Sequence, residues 1–229
     1  MEAYTGVDNL EVMEAAENYN RYLLDEVRKY ATTGKRVLDF GAGGGQFALP
    51  MSTAGFDLTA VELDQALHQH LISKGICAVR RLTELPDGAF DYAYTLNVLE
   101  HIEDDVGVLR QLHRKLSGVG RILIYVPAWP VLYTSMDRKV GHIRRYTRST
   151  LVDCVSAAGF AVERVGYVDS IGFLATLLFK LLGNDDGNIN RSALATYDRF
   201  VFPVSRTLDF LVRRWFGKNL LLVGRAATT

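Results

Sequence analysis

Lys35-Arg36-Val37-Leu38-Asp39-Phe40-Gly41-Ala42-Gly43-Gly44-Gly45 is the stretch on which the fold turns. Its first half is an apolar run that reads as a short buried strand. Its second half is a glycine turn, where the backbone adopts positive φ and a ligand can approach closely. Downstream, helix and strand signals alternate. Helical patterns fall at 46–54, 64–74, 103–116 and 147–158, and strand patterns at 57–61, 76–80, 90–96, 120–126, 160–168 and 219–226. Upstream, 8–30 places Met13, Ala16, Leu23, Val27 and Tyr30 on one helical face. Thr147 suits the N-cap of its helix and Gly159 the left-handed stop. Glu103, Asp104 and Asp105 suit the positive end of theirs. Such alternation predicts an α/β fold, a doubly wound and mostly parallel sheet.

The 229 residues suffice for one large domain. They carry 26 basic and 26 acidic side chains, a zero balance that argues against a generic nucleic-acid binder. Cys77 and Cys154 lie far apart, outside any metal-ligand spacing, and read as two buried small hydrophobes in a reducing cytosol. The first residues lack a basic stretch followed by an apolar run, so no signal peptide and a cytoplasmic location are expected. One segment exceeds a minimal α/β unit: 170–217 holds two helical patterns separated by Gly183-Asn184-Asp185-Asp186-Gly187-Asn188, with Pro203 expected to kink the second.

The glycine string does not match the dinucleotide pattern G-x-G-x-x-G, because Gln46 stands where the third glycine belongs. It fits D-x-G-x-G-x-G at Asp39, Gly41, Gly43 and Gly45. A carboxylate at Asp39 would repel a pyrophosphate and suits a cationic amino group instead. Glu62 closes the second strand, where a carboxylate can accept both hydroxyls of a ribose.

These strings, together with Ala60-Val61-Glu62-Leu63-Asp64, Leu85-Pro86-Asp87-Gly88-Ala89-Phe90-Asp91 and Leu96-Asn97-Val98-Leu99-Glu100-His101-Ile102, resemble the ordered motifs of class I S-adenosylmethionine-dependent methyltransferases. The match covers about 35–168. It implies a Rossmann-like seven-stranded sheet whose last strand inserts antiparallel, and with the helical patterns of 170–217 read as an insertion, one methyltransferase domain is expected over 1–229. Carried over by position, Gly41, Ala42, Gly43 and Gly45 approach the methionine end of the cofactor, with Asp39 orienting that loop. Glu62 and the adjoining Leu63 meet the ribose, Leu82 and Thr83 meet adenine through backbone, and Asn97 lies beside the sulfonium. Arg81 stands where such enzymes commonly place an acid for the adenine amino group. The segment 16–20 resembles the entry helix of a type 11/12-like subgroup, with Tyr19 closing over the cofactor.

Methyl transfer from a sulfonium requires alignment and sometimes proton removal. Glu100, His101 and His142 are the candidate proton acceptors. Some relatives bind a divalent cation through Glu-x-x-Glu-His; here Asn97 replaces the first carboxylate, so no metal is expected. The loop after the fifth strand offers Trp129, Tyr133, His142, Arg144, Arg145 and Tyr146 to an acceptor substrate, its arginines suiting an anionic group. An acidic cofactor half facing this basic loop suggests a small or lipid-linked anionic acceptor. The insertion reads either as a lid or dimer surface over the acceptor, or as peripheral membrane contact through 171–216. Two other functions stay open: an NAD(P)-dependent dehydrogenase, and a cofactor-binding regulator without catalysis.

Overall fold

A computed structural model describes residues 15–31, 35–182 and 191–227. The five residues Arg36–Phe40 form β1, and alternate side chains of this and neighbouring strands enter opposite cores. Leu38, Ala93, Ile122, Ile124 and Leu222 face one core, whereas Val37, Tyr92, Tyr94, Leu123 and Tyr125 face the other. That period-2 division across strands buried on both sides makes the sheet doubly wound.

The chain runs α1 (Glu17–Arg28), β1, α2 (Ala48–Thr53), β2 (Asp57–Val61), α3 (Gln65–Ser73), β3 (Cys77–Val79) and β4 (Phe90–Leu96). It continues through α4 (Asp105–Lys115), β5 (Leu116–Pro127), α5 (Ser135–Lys139), α6 (Arg148–Ala157) and β6 (Phe160–Val168). Then come α7 (Ser170–Leu182), α8 (Arg191–Thr196), a π turn at Tyr197–Val201, α9 (Phe202–Val212) and β7 (Asn219–Ala226). The seven strands lie in the order β3-β2-β1-β4-β5-β7-β6. β7 runs antiparallel to both neighbours, pairing Ile124 with Leu222 and Val165 with Leu222. The antiparallel final strand implied by the motif resemblance is therefore present.

Several boundaries move for identifiable reasons. Within the pattern at 8–30 the described helix runs from Glu17 to Arg28; residues 8–14, with Met13, lie outside the described residues. The helix at 103–116 is shorter at both ends, Asp105–Lys115, because Asp104 becomes its N-cap and accepts from the Gly107 amide. Leu116 instead opens β5, pairing with Phe90 across an irregular register, so that strand extends well upstream of 120. Thr147 caps α6 as expected, and Gly159 turns at φ 99°.

In the segment between β6 and β7 the expected kink takes the form of the π turn just before Pro203. Proline has no N–H to continue the α-helical ladder, and the wider turn absorbs the defect. The separating string 183–188 lies outside the described residues. Among the described residues no helix is long and apolar enough to cross a membrane.

The π turn also holds α1. Ala16 offers no side-chain cap to α1. The Asp198 carboxylate fills the role from the far end of the chain, accepting the Asn18 and Tyr19 amides at 2.9 Å each. Asn18 Nδ2 donates back to the Asp198 carbonyl at 3.0 Å. These amides belong to the first turn, whose N–H groups have no partner within the helix. Asp198→Ala is expected to cost about 2 kcal/mol in urea unfolding, because capping loss and buried orphan donors act together. An unchanged unfolding midpoint would remove Asp198 as the cap of α1.

Candidate active site

Parallel strands β1, β2 and β4 end on one edge of the sheet, and the sequence turns each of them sharply there. After β1, Gly41 and Gly43 take φ of 80° and 55°. The Gly41 amide donates to the Val61 carbonyl at 2.9 Å, pinning the loop to β2. A Cβ on Gly41 would stand 2.4 Å from Val98, whereas nothing lies within 4 Å of the corresponding point on Gly43. The loop is thus closed beneath Gly41 and open over Gly43.

Glu62 faces that opening. Its Oε2 accepts the Gly43 amide and its Oε1 the Asp64 amide, each at 2.8 Å. An ionised carboxylate has about four acceptor positions, so each oxygen keeps one for a ligand. Asp39 is buried at the end of β1 and accepts the Tyr94 hydroxyl at 2.8 Å. Burial lifts it to about 7, against that hydrogen bond and with Glu62 adding repulsion. A cation arriving nearby would favour its ionised form.

Asn97 follows β4 with φ 55°, its amide donating to the Tyr125 carbonyl at 2.8 Å. A left-handed asparagine turns the chain so that its exposed side chain stands over the strand end. The Tyr19 hydroxyl comes against Asn97 and Tyr125, and burial pushes it up to about 12. Leu82 and Thr83 lie in the short 3-10 turn after β3, Leu82 buried and Thr83 exposed, and Leu63 is exposed beyond Glu62.

Glu100 and His101 lie in the next short turn, Leu99–His101. Glu100 is fully buried, and neither carboxylate oxygen has a hydrogen-bond partner. Burial pushes it up to about 8 despite the Arg145 guanidinium. His142 Nε2 stands 3.6 Å from Glu100 Oε1, while its Nδ1 meets Asp137 Oδ1 at 2.7 Å. Asp137 also takes Nε and Nη2 of Arg145 at 2.8 and 3.0 Å. These hydrogen bonds overcome its burial and hold it well below the usual carboxylate range. Asp137 therefore stays ionised and accepts from Nδ1 of His142, which leaves Nε2 turned toward Glu100.

His101 points its Nδ1 at the Gly141 carbonyl at 3.2 Å, and its ring sits edge-on to His142 at 4.7 Å. Burial and His142 bring it down to about 4, so it is neutral across the physiological range. Glu100, His101 and His142 each present a ligand atom, all within 4.8 Å of one another. That grouping could hold a proton or a divalent cation.

The rest of the basic loop is wired into the protein. Arg144 pairs with Asp105 at 2.7 Å and with the Glu103 carbonyl at 2.8 Å. Arg145 reaches Asp137 and the Ala128 carbonyl. The buried Tyr146 hydroxyl donates to Asp105 at 2.7 Å, and Tyr133 donates to the His142 carbonyl at 2.6 Å. Trp129 adopts φ 62° and stacks on Tyr167 at 5.1 Å. Of the six residues offered to the acceptor, His142 approaches Glu100, Tyr133 and Arg145 hold it through its carbonyl and through Asp137, and Trp129, Arg144 and Tyr146 are engaged elsewhere, on Tyr167 and Asp105.

Two groups not singled out in the sequence reach the same region. Lys218, just before β7, is drawn below the usual lysine range by burial, although Asp169 opposes this. Asp169, at φ 63°, accepts from Tyr197 and Ser205. The acids 137 and 169 carry no motif, and only the fold brings them here.

The glycine turn at Gly41 and Gly43, the Glu62 carboxylate and the left-handed Asn97 thus line one strand edge, in the strand order β3-β2-β1-β4-β5-β7-β6. A family model described as a methyltransferase domain matches residues 14–165, and the chain belongs to that family. Its motifs and strand order are similar to those of class I S-adenosylmethionine-dependent methyltransferases. Ubiquinone biosynthesis O-methyltransferase of Pseudomonas aeruginosa (strain UCBPP-PA14) is 31% identical over 102 residues, 40% of this chain and 44% of that protein. The protein of the same name from Nitrosococcus oceani is 29% identical over 114 residues, 45% of this chain and 48% of its own. The match thus spans under half the length of these relatives. Among solved structures, a SAM-dependent methyltransferase from Archaeoglobus fulgidus superposes with TM-score 0.60 at 18% identity, covering 90% of this chain and 94% of that one. Another from Mesorhizobium loti gives 0.58 at 20% identity, covering 92% and 97%. These two likenesses concern the fold.

Proposed function

We propose that this chain transfers a methyl group from S-adenosylmethionine to the hydroxyl oxygen of a small or lipid-linked anionic acceptor. The observation that carries this reading is the Glu100–His142–Asp137 array beside Asn97 at the end of β4. Bound S-adenosylmethionine supplies an electrophilic methyl on a positively charged sulfur. Open space over Gly43 and the spare acceptor positions of Glu62 fit its nucleoside, and Asp39 suits its amino group. Tyr19, Ala42, Gly45, Leu63, Leu82 and Thr83 complete the enclosure in this reading.

His142 receives the acceptor's hydroxyl proton at Nε2 as the new carbon–oxygen bond forms. The electron pair of the breaking carbon–sulfur bond returns to sulfur. Asp137 holds the imidazole and stabilises its cation, the logic by which a carboxylate supports a histidine base. Glu100, when ionised, adds to that stabilisation. Lys218 is the cation left for an anionic group, since Arg144 and Arg145 already have protein partners; burial disfavours its charge, and an arriving anion would restore it. The O-methyltransferase names of the partly matching relatives accord with a hydroxyl acceptor.

Calorimetry with S-adenosylhomocysteine and NAD, followed by labelled methyl transfer to phenols with and without an anionic substituent, tests the proposal. We expect S-adenosylhomocysteine to bind, NAD not to, and anionic phenols to be methylated in preference to neutral ones. NAD binding alone would restore the dehydrogenase reading. Cofactor binding without turnover on any phenol would leave a regulator.

A further inference from the structure

The helices between β6 and β7 expose large apolar side chains in a regular pattern. On α7, Leu174, Leu178 and Leu181 are 57%, 57% and 73% exposed. Their spacing of four and three residues puts them on one face. On α9, Val204, Leu208 and Leu211 repeat the same spacing and are likewise exposed, followed by Trp215 at 65%. Phe200 and Phe210 are also exposed. The two helices pack on each other. Of the fourteen large hydrophobic side chains exposed among the described residues, nine belong to this segment. A monomer rarely leaves so concentrated a patch without a partner.

The charges around the patch distinguish between partners. Lys180, Arg191, Arg199, Arg213 and Arg214 are exposed. The only acids among the described residues from 170 to 218 are Asp198 and Asp209, both buried. Each is spent on backbone amides: Asp198 on Asn18 and Tyr19, and Asp209 on Asp169 and Ser170. Asp185 and Asp186 lie outside the described residues. The described surface thus offers apolar groups and cations without an exposed carboxylate. A second copy docked by two-fold symmetry would set these arginines against their own equivalents. An anionic bilayer meets both features at once.

We infer that the outer face of α7 and α9 docks on the surface of an anionic lipid bilayer. The patch continues toward the acceptor loop: Lys180 Nζ donates to the Val131 carbonyl at 2.7 Å, and Val131 is itself half exposed. Phe173 on α7 lies edge-on to Trp129 at 6.2 Å. Docking would therefore place the loop holding His142 near the lipid surface. The inference rests on the surface alone and stands or falls apart from the nature of the acceptor.

The test is flotation of the full chain with phosphatidylcholine vesicles, with and without phosphatidylglycerol. Wild-type protein is expected to float with the phosphatidylglycerol vesicles, severalfold less with phosphatidylcholine alone, and less at high salt. The double variant F210D/L211D, altered only at exposed positions, should lose most of its bound fraction while S-adenosylhomocysteine binding is unchanged. Absence of flotation with either vesicle would overturn the inference, as would flotation indifferent to the double variant. Light scattering showing a wild-type dimer that F210D/L211D dissociates would assign the face to a second copy instead.

Discussion

His142→Gln is expected to lower kcat by about a hundredfold or more, the range typical of removing a positioned proton acceptor. Cofactor affinity should hold, because no contact of His142 reaches the glycine loop or Glu62. The pH profile is the sharper reading. Glu100 rises to about 8 because burial penalises its charged form. Its carboxylate therefore forms only as pH climbs through about 8, and with it the charge that stabilises a protonated His142. Activity should rise over that window. Glu100→Gln keeps the shape and removes the ionisation, so the rising limb near 8 should vanish with kcat reduced. If the limb survives in Glu100→Gln, its origin lies in another group. Linkage adds a check of opposite sign. A carboxyl whose folded pKa exceeds its unfolded value of 4.5 favours folding at low pH, and that contribution is lost as pH rises from about 4.5 to 8. Glu100→Gln should flatten the stability curve over the same range in which it flattens activity.

The second large effect concerns cofactor affinity. Glu62→Ala removes the proposed acceptor for two ribose hydroxyls and releases the Gly43 and Asp64 amides together. Charge-assisted hydrogen bonds contribute about 1.5–3 kcal/mol each. The dissociation constant for S-adenosylhomocysteine should rise by about a hundredfold or more, measured by calorimetry. Glu62→Gln retains one acceptor oxygen and should fall between. A change of less than threefold in Glu62→Ala would move the ribose away from β2.

The parts of this molecule that sequence reveals are those encoded locally. Strand alternation, the glycine turn at Gly41 and Gly43, Glu62 at the end of β2 and the Thr147 cap each rest on neighbouring residues. The architecture was legible for that reason, down to the antiparallel last strand that the motif order implied. The site was legible in composition and less so in wiring. Basic residues from Arg138 to Arg148 suggested several anion contacts. Asp105 and Asp137, the acids that occupy Arg144 and Arg145, approach them only through tertiary packing. Lys218 and Asp169 carry no motif and sit at strand ends. The shift of Leu116 from helix to strand arises from its pairing with Phe90, a contact that periodicity does not contain.

The hydrogen bonds from Asn18 and Tyr19 to Asp198 join positions 180 and 179 residues apart. A chain emerging from the ribosome exposes α1 long before it can make residue 198. The glycine loop and Glu62 can be in place on a nascent sheet while α1 still lacks its cap. Order of synthesis thus separates the time at which the strand-edge loop can form from the time at which α1 is pinned. A ribosome-stalled chain ending before residue 198 should therefore leave α1 frayed where the finished protein holds it, a difference that proteolysis near Tyr19 would read.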